Sequence, residues 1–532
     1  MQQRRTALEL GILAAIVLLV GAYRHSFVSV PLDRDEGEYA YAGQLLQEGV
    51  PPYEAAYNMK MPGTYVAYAI ALTVFGPTEQ GIRFALLIVN ASTIWLVWLL
   101  ARRFFGSPAA LAAAFTFAVM SLGTPVRGIY GKAEHFVVLA AVAGMVVLSD
   151  AMERERGRLP RLAISGILFG MAFLAKQHGL FFAAFGVAWV GWVELRRRPV
   201  DRGRAAVRVG MIAVATLVPF FAVVGWLASA GVLESFRYWT FTYAFEYTTS
   251  IPLGGGLELL RERVGALVIG YVPVVALMVL GLVVLLRKRR GEPSTGFVLL
   301  LCVFSFLAVC PGLYFRAHYF QMLLPAVALL AGIGFETIVN ASPRRSRAAA
   351  SILVLVVLAQ TVHRERDLLT AVARDPGDVS RLVYHANPFR EAREIGRYLR
   401  EHSQPEDRVA VLGSEPQIYF YADRRSVTGY MYTYALVESH GLAGDMQQDL
   451  IDEVEAGEPR FLVFVKVPES WIARRGFDER IFDWFREYSK DHYDLVGVAD
   501  IPEQGETVYR FDEAAAGYTP RQPRWIVVLR RR

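Results

Sequence analysis

Asp33, Asp35, Glu36 and Glu38 crowd into the first six residues of DRDEGEYAYAGQLLQEGVPPYEAAYNMKMPG (33–63), and Lys60 follows just ahead of Pro62. A carboxylate so placed can take a proton from a hydroxyl or amine as that group attacks, provided the fold holds the two together. Asp35 is the candidate general base, and partial shielding from water is expected to lift its pKa above the usual value of about 4. Glu36 and Glu38 follow it less closely, because successive helix positions point in different directions. The same residues also suit a structural role, since Asp33-x-x-Glu36 and Asp35-x-x-Glu38 both have capping-box spacing ahead of YAYAGQLL, which reads as a helix. Lys60 reads either as an anchor that snorkels at a membrane surface or as a cation that meets a phosphate leaving group.

Other polar residues fall between apolar runs. VRGIYGKAEH carries Arg127, Lys132, Glu134 and His135; Lys176 and His178 lie in KQHG, and Arg316 and His318 in YFRAHYF. Any of these could be an interfacial anchor, but Arg127, Lys132, Lys176 and Arg316 join Lys60 as candidate ligands of a lipid phosphate. Glu38, Tyr39, Tyr57, His135, His178 and His318 are candidate contacts for a sugar or acceptor. A metal ion would require Asp35, Glu134, His135 and His178 to converge, and no local ligand spacing supports one. Neither GxGxxG, GxxxxGK[ST] nor HExxH occurs, so no cofactor is expected. SFRYWTFTYAFEYTT (235–249) reads as an interfacial aromatic belt or as a platform for a sugar ring or lipid chain.

The elements that position these residues are membrane helices. Of 532 residues 54% are hydrophobic and 20% charged, a polytopic profile. The net charge of +6 is bunched in ARRFFG, ERERGRLPR, ELRRRPVDRGRAAVR, LRKRRG and PRRSR between apolar segments, which reports membrane orientation and not a nucleic-acid partner. Cys302 and Cys310 lie in or beside one apolar run and read as small buried hydrophobes.

Each crossing takes roughly 20 residues. Apolar stretches near 8–28, 81–101, 108–126, 135–150, 161–176, 178–194, 207–229, 264–286, 296–313, 319–339 and 347–361 predict about eleven spans. PGTYVAYAIALTVFG (62–76) is too short and is read as a non-spanning helix within an outer loop, 29–80. With that choice all five basic clusters face the cytoplasm, as does the N-terminus, and residues 8–28 form a retained first span. Residues 1–361 then make a membrane domain and 362–532 an extracytoplasmic α/β domain, with a helix at 391–402 and strand-like runs at 407–413, 460–467, 506–511 and 524–529.

This arrangement resembles the C-type integral-membrane glycosyltransferases, in particular bacterial relatives of dolichyl-phosphate-mannose–protein mannosyltransferases and of lipid A aminoarabinose transferase. The likeness rests on Asp35-Glu36 with its aromatic helix, on Lys60-Met61-Pro62, and on Glu134 in a later outer loop. It implies a catalytic aspartate at Asp35, a catalytic role for Glu134 beside Asp35 and Glu36, a phosphate-binding lysine at Lys60, and inverting transfer of a sugar from a polyprenyl-phosphate donor to a glycan, lipid or protein acceptor. The site of transfer would be the outer face of the bacterial cytoplasmic membrane. A lipid-linked sugar flippase or transporter is the main alternative. Against it, the charged groups gather at one face, whereas transport more often places some of them mid-span. A sensory receptor is the third reading.

Overall fold

The computed structural model describes residues 2–346, 348, 351–352, 365–438, 440–473, 476–503 and 505–532. After helix α1 (Gln2–His25) the chain turns directly into α2 (Arg34–Gln47), which does not lie among the long apolar helices. Asp33 caps α2: its side chain accepts the Glu36 N–H (3.1 Å), and Glu36 accepts the Asp33 N–H in return (3.2 Å). The capping box is thus built by Asp33 and Glu36, and Asp35 takes no part in it.

Helix α3 (Gly63–Phe75) begins after Pro62 and stops at Gly76, whose φ of 92° suits glycine. Its 13 residues reach about 20 Å, short of a bilayer core of roughly 30 Å. The bundle continues through α4 (Glu79–Phe104), α5 (Ser107–Met120), α6 (Ala133–Glu153), α7 (Arg158–Ala175), α8 (Leu180–Arg196) and α9 (Arg202–Ser229).

The expectation of eleven spans is corrected. Among the described residues seven helices are long and apolar enough to cross, or eight if a bent pair counts as one. The runs at 108–126 and 296–313 yield helices of only 14 and 17 residues. Glycine and proline, at Gly123 and Pro125 and at Pro311 and Gly312, follow closely on their ends. The run at 264–286 is broken by 99° between Leu253–Gly270 and Val272–Lys288; Pro273 sits in the first turn of the second piece, where its missing N–H costs nothing. The run at 347–361 lies outside the described residues.

The C-terminal region forms a five-stranded sheet, in the order β1 (Val409–Leu412), β2 (Phe461–Lys466), β5 (Arg524–Arg531), β3 (Tyr493–Ile501), β4 (Val508–Phe511). Only β1 and β2 pair in parallel. Four strands and the helix Phe389–Glu401 fall where alternation and periodicity placed them, while β3 was not anticipated.

This domain is not a separate body. Tyr39, Tyr41 and Leu45 of α2 share a hydrophobic core with Ile418, Tyr419 and the sheet, and the Tyr41 and Tyr419 rings stack at 5.1 Å. A Cβ at Gly37 would collide with the backbone of Gln417, so only glycine lets α2 and the helix Gln417–Ala422 approach this closely.

Candidate active site

A cavity of about 390 Å³ lies where α2, the inter-helix loops and the C-terminal domain meet. Because Asp33 serves as the cap, the next three carboxylates fan out around α2 at about 100° per residue. Asp35 faces the cavity with its side chain 24% exposed, whereas Glu36 and Glu38 are fully buried.

Both oxygens of Asp35 are held by lysines: Oδ1 accepts from Lys60 Nζ at 2.9 Å and Oδ2 from Lys132 Nζ at 2.6 Å. Each lysine is gripped from behind by a buried carboxylate, Lys60 by Glu38 and Lys132 by Asp33 Oδ2 at 2.7 Å. Glu38 in turn accepts from the Tyr65 hydroxyl at 2.6 Å.

The electrostatics follow from this arrangement. Burial pushes the Asp35 carboxyl up, but Lys132 and Lys60 outweigh it and hold the group well below the ordinary carboxylate range. The expected upward shift is therefore reversed. The two ammonium groups respond in kind: burial pulls each down, and their carboxylate partners more than restore them, leaving both above the ordinary lysine value.

The other candidates divide by position. Lys176, Arg127, Arg316, His318, Tyr39 and Tyr57 all line the cavity. Lys176 is paired to the buried Glu134 and lies 4.0 Å from the Tyr319 ring centre; burial leaves it below the ordinary lysine value despite that partner. Arg316 donates to the Tyr247 hydroxyl at 3.1 Å, and Arg127 stacks 4.5 Å over Tyr384 while bonding the Val383 carbonyl. Among the described residues neither arginine is ion-paired to a carboxylate.

Tyr39 lies under Lys60 (4.7 Å), and Tyr57 stacks on Trp239 (5.3 Å) with its hydroxyl on Glu453 (3.2 Å). His318 stands 3.9 Å from Glu134.

Glu36, Glu38, Glu134, His135 and His178 do not line the cavity. Glu36 is clamped by both terminal nitrogens of Arg83, Nη2 at 2.9 Å, and by the Gly131 N–H. Burial lifts its carboxyl to about 7 even so. His135 contacts the Tyr130 carbonyl at 3.1 Å and His178 the Ala308 carbonyl at 2.6 Å, both inside the bundle. Among the described residues no group of three or more His, Cys, Asp and Glu side chains could hold a metal ion.

The rest of the wall was not anticipated. Tyr384, Tyr430, Tyr432 and Tyr434 reach the cavity from the C-terminal domain, and the Tyr432 hydroxyl donates to the Arg34 carbonyl at 3.1 Å and lies 3.5 Å from Asp35 Oδ1. The alternation of tyrosines in TGYMYTY (428–434) is the signal that could have marked them, since an extended segment turns every second side chain the same way. On the membrane side, Trp239, Tyr243 and Tyr247 recur at every fourth position and also reach the cavity. Trp239 and Tyr243 lie in a π-helical stretch, Tyr238–Tyr243, a conformation frequent at functional sites.

Residues 60–226 match the family model "Dolichyl-phosphate-mannose-protein mannosyltransferase". The chain is 29% identical over 238 residues to the undecaprenyl phosphate-alpha-4-amino-4-deoxy-L-arabinose arabinosyl transferase of Pseudomonas paraeruginosa, covering 42% of this chain and 41% of that protein. The fold superposes with a TM-score of 0.61 on ArnT from Cupriavidus metallidurans in its crystal structure bound to undecaprenyl phosphate, at 16% identity over 98% of this chain and 97% of that one.

The chain is thus similar in fold to membrane glycosyltransferases over nearly its whole length, and similar in sequence to the mannosyltransferase family model over residues 60–226. The archaeal oligosaccharyltransferase AglB from Archaeoglobus fulgidus shares this transferase fold at a TM-score of 0.57 and 12% identity, over 96% of this chain and 75% of that one. In sequence, the chain matches only about two fifths of the length of its curated transferase relatives. Among the described residues its seven helices, or eight with the bent pair, are long and apolar enough for a multi-pass membrane protein.

Proposed function

We propose that this transferase moves a sugar, with inversion, from a polyprenyl-phosphate-linked donor to an acceptor at the outer face of the bacterial cytoplasmic membrane. The observation that carries the reading is Asp35, a carboxylate open to the cavity and flanked by two lysines, Lys60 and Lys132. The acceptor's hydroxyl or amine attacks the anomeric carbon and gives its proton to Asp35 as the carbon–oxygen bond to phosphate breaks. The electron pair of that bond leaves with the lipid phosphate, which Lys60, Lys132, Lys176 and Arg316 stabilise. Phosphate is already a good leaving group, so one carboxylate suffices where a glycosidase uses two.

Glu134 serves in this scheme by fixing Lys176, and Glu36 by fixing α2. The membrane domain corresponds to residues 1–361 and the outer domain to 362–532, with the N-terminus in the cytoplasm. Tyr430, Tyr432 and Tyr434 form the acceptor-facing wall, whose aromatic faces and hydroxyls suit a sugar ring.

Vesicles containing the protein and a panel of undecaprenyl-phosphate-linked, radiolabelled pentoses and hexoses, with an envelope extract as acceptor, test the reading. Label should enter a new glycosidic product while undecaprenyl phosphate is released, and Asp35→Asn should slow this by about 10³-fold while leaving the fold intact. Label that crosses the bilayer with no new glycosidic bond would establish transport instead.

A further inference from the structure

Resting on that reading of the cavity, we infer that the donor's phosphate binds by taking Lys60 and Lys132 away from Asp35, so the carboxylate is freed to act as a base only once the donor is in place. The two lysines bridge carboxylates of unequal standing. On the buried side Glu38 and Asp33 are 0% and 1% exposed and fixed by further bonds, from Tyr65 to Glu38 and from Tyr384 (2.6 Å) and the Glu36 N–H to Asp33. On the cavity side stands Asp35, which is 24% exposed; besides the lysines it meets the long 3.5 Å approach of the Tyr432 hydroxyl.

An anion entering the cavity meets ammonium groups anchored at the back and tied at the front to the more accessible carboxylate. An ammonium offers three N–H donors, and Lys60 spends two of them on Glu38 and Asp35, as Lys132 does on Asp33 and Asp35. Exchanging Asp35 for a phosphate oxygen keeps each lysine's count unchanged and leaves the rear anchors in place. Arg316, which among the described residues donates to the neutral Tyr247 hydroxyl and pairs with no carboxylate, stands in the same cavity to receive the phosphate first.

The test measures binding of undecaprenyl phosphate to the full chain in nanodiscs. Asp35→Asn should tighten it about 10-fold, the scale of one charge-assisted hydrogen bond no longer contested. In a Lys60→Met/Lys132→Met background the same substitution should give no gain. A gain that persists without the lysines would mean simple charge repulsion and overturn the inference, as would the absence of any gain in the native background. If the double-lysine variant does not fold, Lys60→Met alone serves, with the gain from Asp35→Asn expected to fall to about threefold and an undiminished gain overturning the exchange. Failure of the native chain to bind undecaprenyl phosphate at all would overturn the glycosyltransferase reading as well.

Discussion

Asp35 and Glu36 are neighbours in the first turn of α2, yet they stand in two different kinds of ion-pair region. Glu36 faces into the fold, where it is buried and satisfied by Arg83 and the Gly131 N–H, and it ties α2 to α4 and to the loop before α6. Asp35 faces the cavity and is held by two flexible ammonium groups that a ligand can reach. The first arrangement is built to stay and the second to be exchanged. A planar guanidinium fork suits permanent clamping, and point-charge lysines suit hand-over.

Breaking the buried pair should give the largest effect. Arg83→Met leaves the Glu36 carboxylate buried without its cation and should cost about 3–5 kcal/mol of stability. A fall in thermal midpoint, with turnover per folded molecule retained, would separate this clamp from the chemistry. Lys60→Met strikes the exchangeable region and should lower kcat/KM for the donor by about 10²-fold, as steady-state kinetics would show; because it also strips buried Glu38 of its cation, the midpoint should fall as well.

Tyr432→Phe removes only the hydroxyl near Asp35 and should lower turnover about 3- to 10-fold, since one neutral hydrogen bond is worth about 1 kcal/mol. A loss as large as that of Asp35→Asn would give Tyr432 a share in proton transfer.

The smallest effect is that of pH on the free enzyme. With Asp35 held below the ordinary carboxylate range, its share of the acid limb of kcat/KM should fall below about pH 4. The depressed carboxylate contributes stability above its unfolded pKa, and that contribution is lost as pH falls through the lower folded value. The limb in kcat, which reports the donor-bound enzyme, should lie higher if phosphate has drawn the lysines away.

Legibility in the sequence followed the range of the interactions. The α2 cap depends on residues within one turn, so its spacing was visible in the sequence, although two such spacings overlap there and only the structure selects Asp33 with Glu36. The charge state of Asp35 depends on Lys132, which lies 97 residues away, and burial alone suggested the wrong sign. The tyrosines of 430–434 read as part of a detached domain because nothing local announces that Gly37 brings Gln417 against α2. The span count failed for a different reason. Hydropathy sums residues, but crossing requires unbroken turns, and the 99° break between Leu253–Gly270 and Val272–Lys288 leaves the apolar run at 264–286 a span only if the bent pair counts as one.

The seam at Gly37 has a mechanical consequence. With backbone pressed on backbone there, any side chain at position 37 would push the helix bearing Asp35 away from Gln417 and the domain that carries the tyrosine wall.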